Sequence, residues 1–188
     1  MRLTQLAQDL VRARLGSRMI AVDATAGNGH DTLFLAQSVG PTGIVYAIDI
    51  QSASISATRQ RIVDAGVDKS VVLIQASHDN WAAILSVEHY QKVDAVMMNL
   101  GYLPGGDQAI KTKPESTTKA IREAFDWLKP DGILTVLAYI GHPGGMEECA
   151  VVRSTFLEHL SSPDQLHEQP SRTGTNGPIL FWCCCKSA

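Results

Sequence analysis

The sequence predicts an α/β domain built on a doubly wound, mostly parallel sheet, with an antiparallel hairpin at its C-terminal edge. Three observations predict it. Strand-like and helix-like segments alternate five times along the chain. The early strand-like runs are continuously apolar, as strands covered on both faces are. The last two strand-like segments are joined only by the turn-rich link SRTGTNGP, with no helix between them, so they should pair antiparallel.

The elements follow in order. Leu3, Leu6, Leu10, Val11 and Leu15 recur at helical spacing, and Gly16 is a stop signal. The run from Met19 to Asp23 reads as a buried strand ending in an acid, followed by the turn ATAGNG and a helix from His30 to Val39. Residues 43–49 form a second strand ending in Asp49, and Ser52 to Ala65 a helix capped by Gly66. Val71 to Gln75 is a third strand and Trp81 to Val87 a short helix. A fourth strand spans Val93 to Asn99 and leads into a glycine-rich loop, Gly101 to Gly106. A helix then runs from Pro114 to Leu128, a fifth strand from Gly132 to Tyr139, and a helix from Met146 to Leu160. The tail holds strands around Leu166–Glu168 and at Pro178–Cys185.

Composition narrows the function. The 188 residues suit one domain, residues 1–188, and the 45% hydrophobic share supports a real core. A net charge of −3 excludes a histone-like nucleic-acid binder but not a local basic patch. No apolar run approaches the roughly 18–20 residues of a membrane span, and the charged amphipathic start is no secretory signal. Cys149 stands apart from the adjacent Cys183, Cys184 and Cys185, a pattern that suits neither a disulfide framework nor a metal site, so a reducing cytoplasm and no metal are expected.

Ligands of such sheets lie beyond the carboxyl ends of the strands, and the chemistry-bearing residues cluster there. In VDATAGNGHD, Gly27 and Gly29 let the backbone approach a ligand, and the helix behind them offers unpaired N–H groups. A plain strand–helix turn is the alternative. Asp49, about 20 residues on, stands where an acid takes ribose hydroxyls; a solvated strand end or helix cap is the alternative. Thr32 occupies the third glycine position of the dinucleotide fingerprint, which favours a nucleoside without a pyrophosphate, such as S-adenosylmethionine. Ser77, His78 and Asp79 follow the third strand, where a side chain meets an adenine edge or, equally, caps the next helix.

Asn99 can accept hydrogen bonds from an amine and leave its lone pair aimed at a methyl donor, and Tyr102 can pack on a flat substrate. His142 is the general-base candidate, against the alternative of a histidine donating to a loop carbonyl. Lys111, Lys113, Lys119 and Arg122 suit nucleic-acid phosphates or a merely solvated basic face.

DATAGNGHDT at 23–32, YAIDIQ at 46–51, NLGYLPGGD at 99–107 and YIGHPGG at 139–145 together resemble the YtqB-type putative rRNA methylase family of small class I methyltransferases. The likeness runs from about Met19 to the last strand. It implies a seven-stranded Rossmann-like sheet, S-adenosylmethionine as cofactor and, as for some members, methylation of the amine of 5-aminomethyl-2-thiouridine at the wobble position of tRNA. It implies cofactor contacts at Asp23, Ala26, Gly27, Asn28, Gly29, Asp31, Thr32, Asp49, Ile50, Gln51, Ser77, His78 and Asn99. It puts the methyl-acceptor site at Asn99, Leu100, Gly101, Tyr102 and His142; with the basic residues read above, substrate contacts are expected at Leu100, Gly101, Tyr102, Lys111, Lys113 and Arg122, and Asn99, Tyr102, His142 or Asp107 serve the chemistry. A homodimer binding the tRNA anticodon loop is the implied assembly. The ending FWCCCKSA and Gly177 depart from the family pattern, which bears on edge packing more than on chemistry. Other readings are methylation of rRNA or a small amine, a non-catalytic binding module, and a nicotinamide dehydrogenase, which the missing glycine disfavours.

Overall fold

A computed structural model describes residues 2–102, 105, 110–172 and 176–184. The elements are α1 (Leu3–Arg12), β1 (Ile20–Asp23), α2 (His30–Val39), β2 (Ile44–Asp49), α3 (Ser52–Asp64), β3 (Val71–Gln75), β4 (Val93–Leu100), α4 (Pro114–Trp127), β5 (Leu128–Ala138), α5 (Gly145–His159), β6 (His167–Pro170) and β7 (Ile179–Cys184). Seven strands form one sheet in the order β3-β2-β1-β4-β5-β7-β6. The first five are parallel, and β7 pairs antiparallel with both β5 and β6. This is the doubly wound sheet with a C-terminal antiparallel hairpin expected above.

The continuous apolar strands are explained by the period-two alternation of side chains across a sheet covered on both faces. Val22, Ile48, Met98, Val136 and Phe181 enter one core with α4, α5 and the buried Trp81. Ala21, Val45, Met97, Leu137 and Leu180 enter the other, under α1 and α2. A one-residue slip of any central strand would exchange the two sets. The edge strand β6 is short, mostly exposed and ends in Pro170, which blunts further pairing.

Most boundaries shift by a residue or two, and two larger departures have local reasons. The helix expected over 81–87 is two separate 3-10 turns, Trp81–Ala83 and Val87–His89, because Ser86 between them is extended. Trp81 fixes the first turn, since its buried indole donates to the His78 carbonyl at 2.7 Å. Strand β5 begins at Leu128, not Gly132, directly from α4. Leu128 pairs with Val93, and the ladder then shifts register before Ala95 meets Ile133. Asp131 takes a left-handed φ of 67° in the bulge so formed within β5, and Lys129 pairs with Asp94 of β4.

Parallel register brings the ends of β1, β2, β3, β4 and β5 to one edge, so Asp23, Asp49, Gln75, Leu100 and Ala138 and the loops after them face a common space.

Candidate active site

That space is an open bay of about 940 Å³. Its floor is the turn after β1. Gly27 and Gly29 adopt left-handed φ values of 52° and 76°. At Gly29 a Cβ would stand 2.8 Å from the Thr58 Cα, so α3 packs against bare backbone there. Gly29→Ala therefore combines a left-handed strain of about 1–2 kcal/mol with overpacking of about 1–3 kcal/mol. Thermal unfolding should record a drop of about 5–10 °C; an unchanged melting temperature would refute the close packing.

Asp49 holds this turn in place. Its Oδ2 accepts from the Gly27 N–H and its Oδ1 from the Gln51 N–H, each at 2.8 Å. Each oxygen keeps a further lone pair for a ligand hydroxyl. Ala26, Asn28, Ile50, Gln51, Ser77 and His78 also line this half of the bay. Ile50 is 59% exposed, a flat apolar surface beside an acid, which suits a nucleoside. Burial lowers the pKa of His78 against the opposing pull of Asp79, so its imidazole is neutral at pH 7. Its Nε2 is buried and has no hydrogen-bond partner among the described residues.

Asp23 and Thr32 are placed differently. Both are fully buried, do not line the bay, and bond to each other, Thr32 Oγ1 donating to Asp23 Oδ2 at 2.6 Å. They support the turn from beneath. Burial, and next the charge of Asp31, raise the Asp23 carboxyl to about 7, although bonds from Thr32 and Thr25 oppose the shift.

The other half of the bay surrounds Asn99. Its backbone N–H donates to Thr25 Oγ1 at 2.7 Å, and its side-chain Nδ2 donates to Asp31 Oδ2 at 2.6 Å. With the amide nitrogen so engaged, the carbonyl oxygen Oδ1 is the acceptor Asn99 offers to the bay. Tyr102 and His142 meet edge to face at 5.9 Å. His142 Nδ1 lies 3.1 Å from the Pro143 carbonyl, an acceptor, so Nδ1 carries the hydrogen and Nε2 presents a lone pair. That Nε2 is buried without a partner among the described residues, and a Cβ on Gly101 would stand 3.6 Å from it. The loop-carbonyl bond expected as the alternative for His142 is present, and it leaves Nε2 as the nitrogen without the hydrogen.

The loop after β4 closes at its base. Gly101 N–H donates to Thr112 Oγ1, the Thr112 N–H returns to the Gly101 carbonyl, and Tyr102 bridges Lys111. Asp107 lies outside the described residues. Lys111 lines the bay, but its ammonium is used on the Pro143 carbonyl at 2.6 Å, which ties this loop to the one after β5. Lys113 is exposed on the rim. Arg122 does not reach the bay and pairs instead with Glu158 of α5 at 2.9 Å.

Sequence reasoning missed two contributors. Arg2, Gln5 and Gln8 of the N-terminal segment line the bay, and Gln8 Nε2 donates to Asp31 Oδ1 at 2.7 Å. Tyr139, at the end of β5, lines it too, and its phenol pKa is raised by burial and next by Asp31. The aromatic residue beside a glycine loop was a usable signal for Tyr139. A polar helix face carries none for Gln8.

The bay therefore combines acids for a cationic ligand, exposed turn backbone for an anionic group, and an apolar shelf beside Asp49. That donor set fits S-adenosylmethionine, which carries a nucleoside, a sulfonium, an ammonium and a carboxylate. Among the described residues no cluster of metal ligands is present.

Comparison with known proteins agrees with this geometry. The family described as "Putative rRNA methylase" matches residues 45–178. A tRNA (mnm(5)s(2)U34)-methyltransferase, chloroplastic, from Arabidopsis thaliana is 37% identical over 88% of this chain and 56% of its own. The chain spans about half the length of the curated relatives it matches. A putative rRNA methylase structure from Clostridium thermocellum is 34% identical, with a TM-score of 0.88 over 97% of this chain and 96% of its own. A putative methyltransferase from Streptococcus mutans, solved in complex with SAH, is 29% identical, with a TM-score of 0.82 over 98% of both chains.

Proposed function

Because the chain belongs to the putative rRNA methylase family, we propose that it is an S-adenosylmethionine-dependent N-methyltransferase whose acceptor is the amine of 5-aminomethyl-2-thiouridine at the tRNA wobble position. The observation that carries this reading is the Asn99 amide, which lines the bay with its nitrogen held on Asp31 and its Oδ1 left as the acceptor, in the same bay as His142. The Arabidopsis relative supports the choice of acceptor and the Streptococcus structure the choice of cofactor.

An aliphatic amine is mostly protonated at pH 7 and is then no nucleophile. A site for it must favour the neutral form, orient the lone pair and take away one proton. Asn99 accepts one N–H and fixes the direction of the lone pair. His142 is the proposed proton acceptor: its Nδ1–H on the Pro143 carbonyl leaves Nε2, buried in this structure, as the nitrogen that would take the proton once the acceptor is seated against it. Tyr102, 40% exposed at the mouth, offers a ring face to a flat base. When bound, the cofactor supplies an electrophilic methyl group. Arg2 and Lys113 on the rim suit the phosphates of an anticodon loop.

A homodimer rests on the family resemblance and is tested by analytical ultracentrifugation. No helix among the described residues is long and apolar enough to cross a membrane.

The test uses purified protein, labelled S-adenosylmethionine and bulk tRNA from cells lacking this gene, with nucleosides identified by mass. Conversion of 5-aminomethyl-2-thiouridine to its N-methyl form is the expected result. Cofactor binding with no methylated tRNA nucleoside overturns the acceptor assignment and leaves rRNA or a small amine.

A further inference from the structure

We propose that Gln8, acting through Asp31, sets the orientation of the Asn99 amide, which makes the N-terminal helix a part of the acceptor site; this rests on the transfer reading above. Three side chains from three elements form one line. Gln8 Nε2 of α1 donates to Asp31 Oδ1 at 2.7 Å, and Asn99 Nδ2 of β4 donates to Asp31 Oδ2 at 2.6 Å. Asp31 stands in the first turn of α2 and is 8% exposed.

The amide of Asn99 has two orientations of nearly equal shape and opposite chemistry. In one, Oδ1 faces the bay and accepts from an amine. In the other, the NH₂ group faces the bay and donates to the amine nitrogen, tying up the lone pair the transfer needs. The Asp31 carboxylate decides between them, because the flipped amide would set oxygen against oxygen at hydrogen-bond distance. That decision holds only while Asp31 itself cannot turn, and Gln8 holds its second oxygen.

Gln8 is anchored in turn. It directly follows Ala7, which is 3% exposed and, with the fully buried Val11, docks α1 on the core. The helix thus delivers one amide donor to a carboxylate 23 residues away in sequence. Gln8 is a positioning residue: it touches Asp31, not the acceptor. Gln8, Asp31 and Asn99 all line the bay, as does Tyr139, so the line of contacts forms part of its wall.

The experiment pairs a resonance with a rate. The Asn99 side-chain NH₂ signals in a ¹⁵N correlation spectrum are assigned by their loss in Asn99→Ala. Gln8→Met, close in shape and lacking the donor, should shift those signals and slow transfer to tRNA by about ten-fold, with cofactor affinity within about two-fold by calorimetry. Gln8→Ala should do the same, which guards against a defect particular to methionine. In a double-mutant cycle, Gln8→Met should add almost nothing to Asn99→Ala, because both remove one line of contacts. A purely structural role for Gln8 would instead give additive losses and leave the Asn99 signals in place, and that result overturns the proposal. If the wild-type protein transfers no methyl group to tRNA, the acceptor assignment falls, and the amide signals alone then decide whether Gln8 orients Asn99.

Discussion

Asn99→Ala should lower the rate of methyl transfer by about 10²–10³-fold, the range seen when one preorganised polar contact is removed from a reacting centre. Cofactor affinity should change far less. Two features of the structure argue for so large an effect. The Asn99 backbone is fixed independently of its side chain, through its N–H on Thr25 Oγ1, so truncation does not loosen the strand end. The side chain is locked on Asp31 at 2.6 Å, so the lost acceptor was already oriented and its loss cannot be recovered by a neighbour. Asn99→Asp is the sharper variant. It keeps oxygen acceptors at the same place but sets a second carboxylate against Asp31 where a donor had been. It should lose nearly as much activity as the alanine variant, although it is closer in shape. Single-turnover rates with saturating cofactor check both. If cofactor affinity falls in parallel with the rate, Asn99 serves the cofactor and the acceptor lies elsewhere in the bay.

Much of this arrangement was legible in the sequence, and the reason is topological. Parallel strands end at one edge, so reading strand ends amounts to reading the site. Asp49, Ser77, Asn99 and the loop holding His142 were all found as residues following apolar runs, and all four line or border the bay. Helix α2 and strand β3 were placed residue for residue, because each is bounded locally: Gly29 and Gly40 flank the helix, and the strand is one apolar run that ends at the polar Gln75. What was not legible depends on distant partners. Lys111 reads as a phosphate contact from its charge, yet its ammonium lies on a carbonyl 32 residues later. Arg122 reads as part of the same basic face, yet helix phase turns it to Glu158 on α5. Thr32 and Asp23 sit in the most diagnostic motif of the chain, and both are buried beneath the turn that the motif builds. Motif spacing reports that these residues belong to the site. It does not report whether they face the ligand or hold up the residues that do.

Asp23 supplies the second large effect, on stability against pH. Its carboxyl is raised to about 7, by burial first and by the neighbouring charge of Asp31 next. In the unfolded chain an aspartate titrates at about 3.9. Between these two values the native state holds a proton that the unfolded chain has released. Stability therefore falls as pH rises through that window and levels off above it. Asp23→Asn removes the titration, and Thr32 Oγ1, which now donates to Asp23 Oδ2, can accept from the new amide instead. The variant should match the wild type near pH 4 and exceed it at pH 8 by several kcal/mol, equivalent to at least about 5 °C in melting temperature for a domain of this size. A buried acid that destabilises its own fold at working pH is expected where the charge serves a ligand. A cofactor bearing a sulfonium and an ammonium favours the ionised carboxyl. Wild-type affinity for S-adenosylmethionine should therefore rise between pH 6 and 8, while that of Asp23→Asn stays flatter, and calorimetry at three pH values reads the difference. Parallel stability curves for the two proteins would mean that Asp23 is ionised throughout, and its charge would then contribute no pH dependence to cofactor affinity between pH 6 and 8.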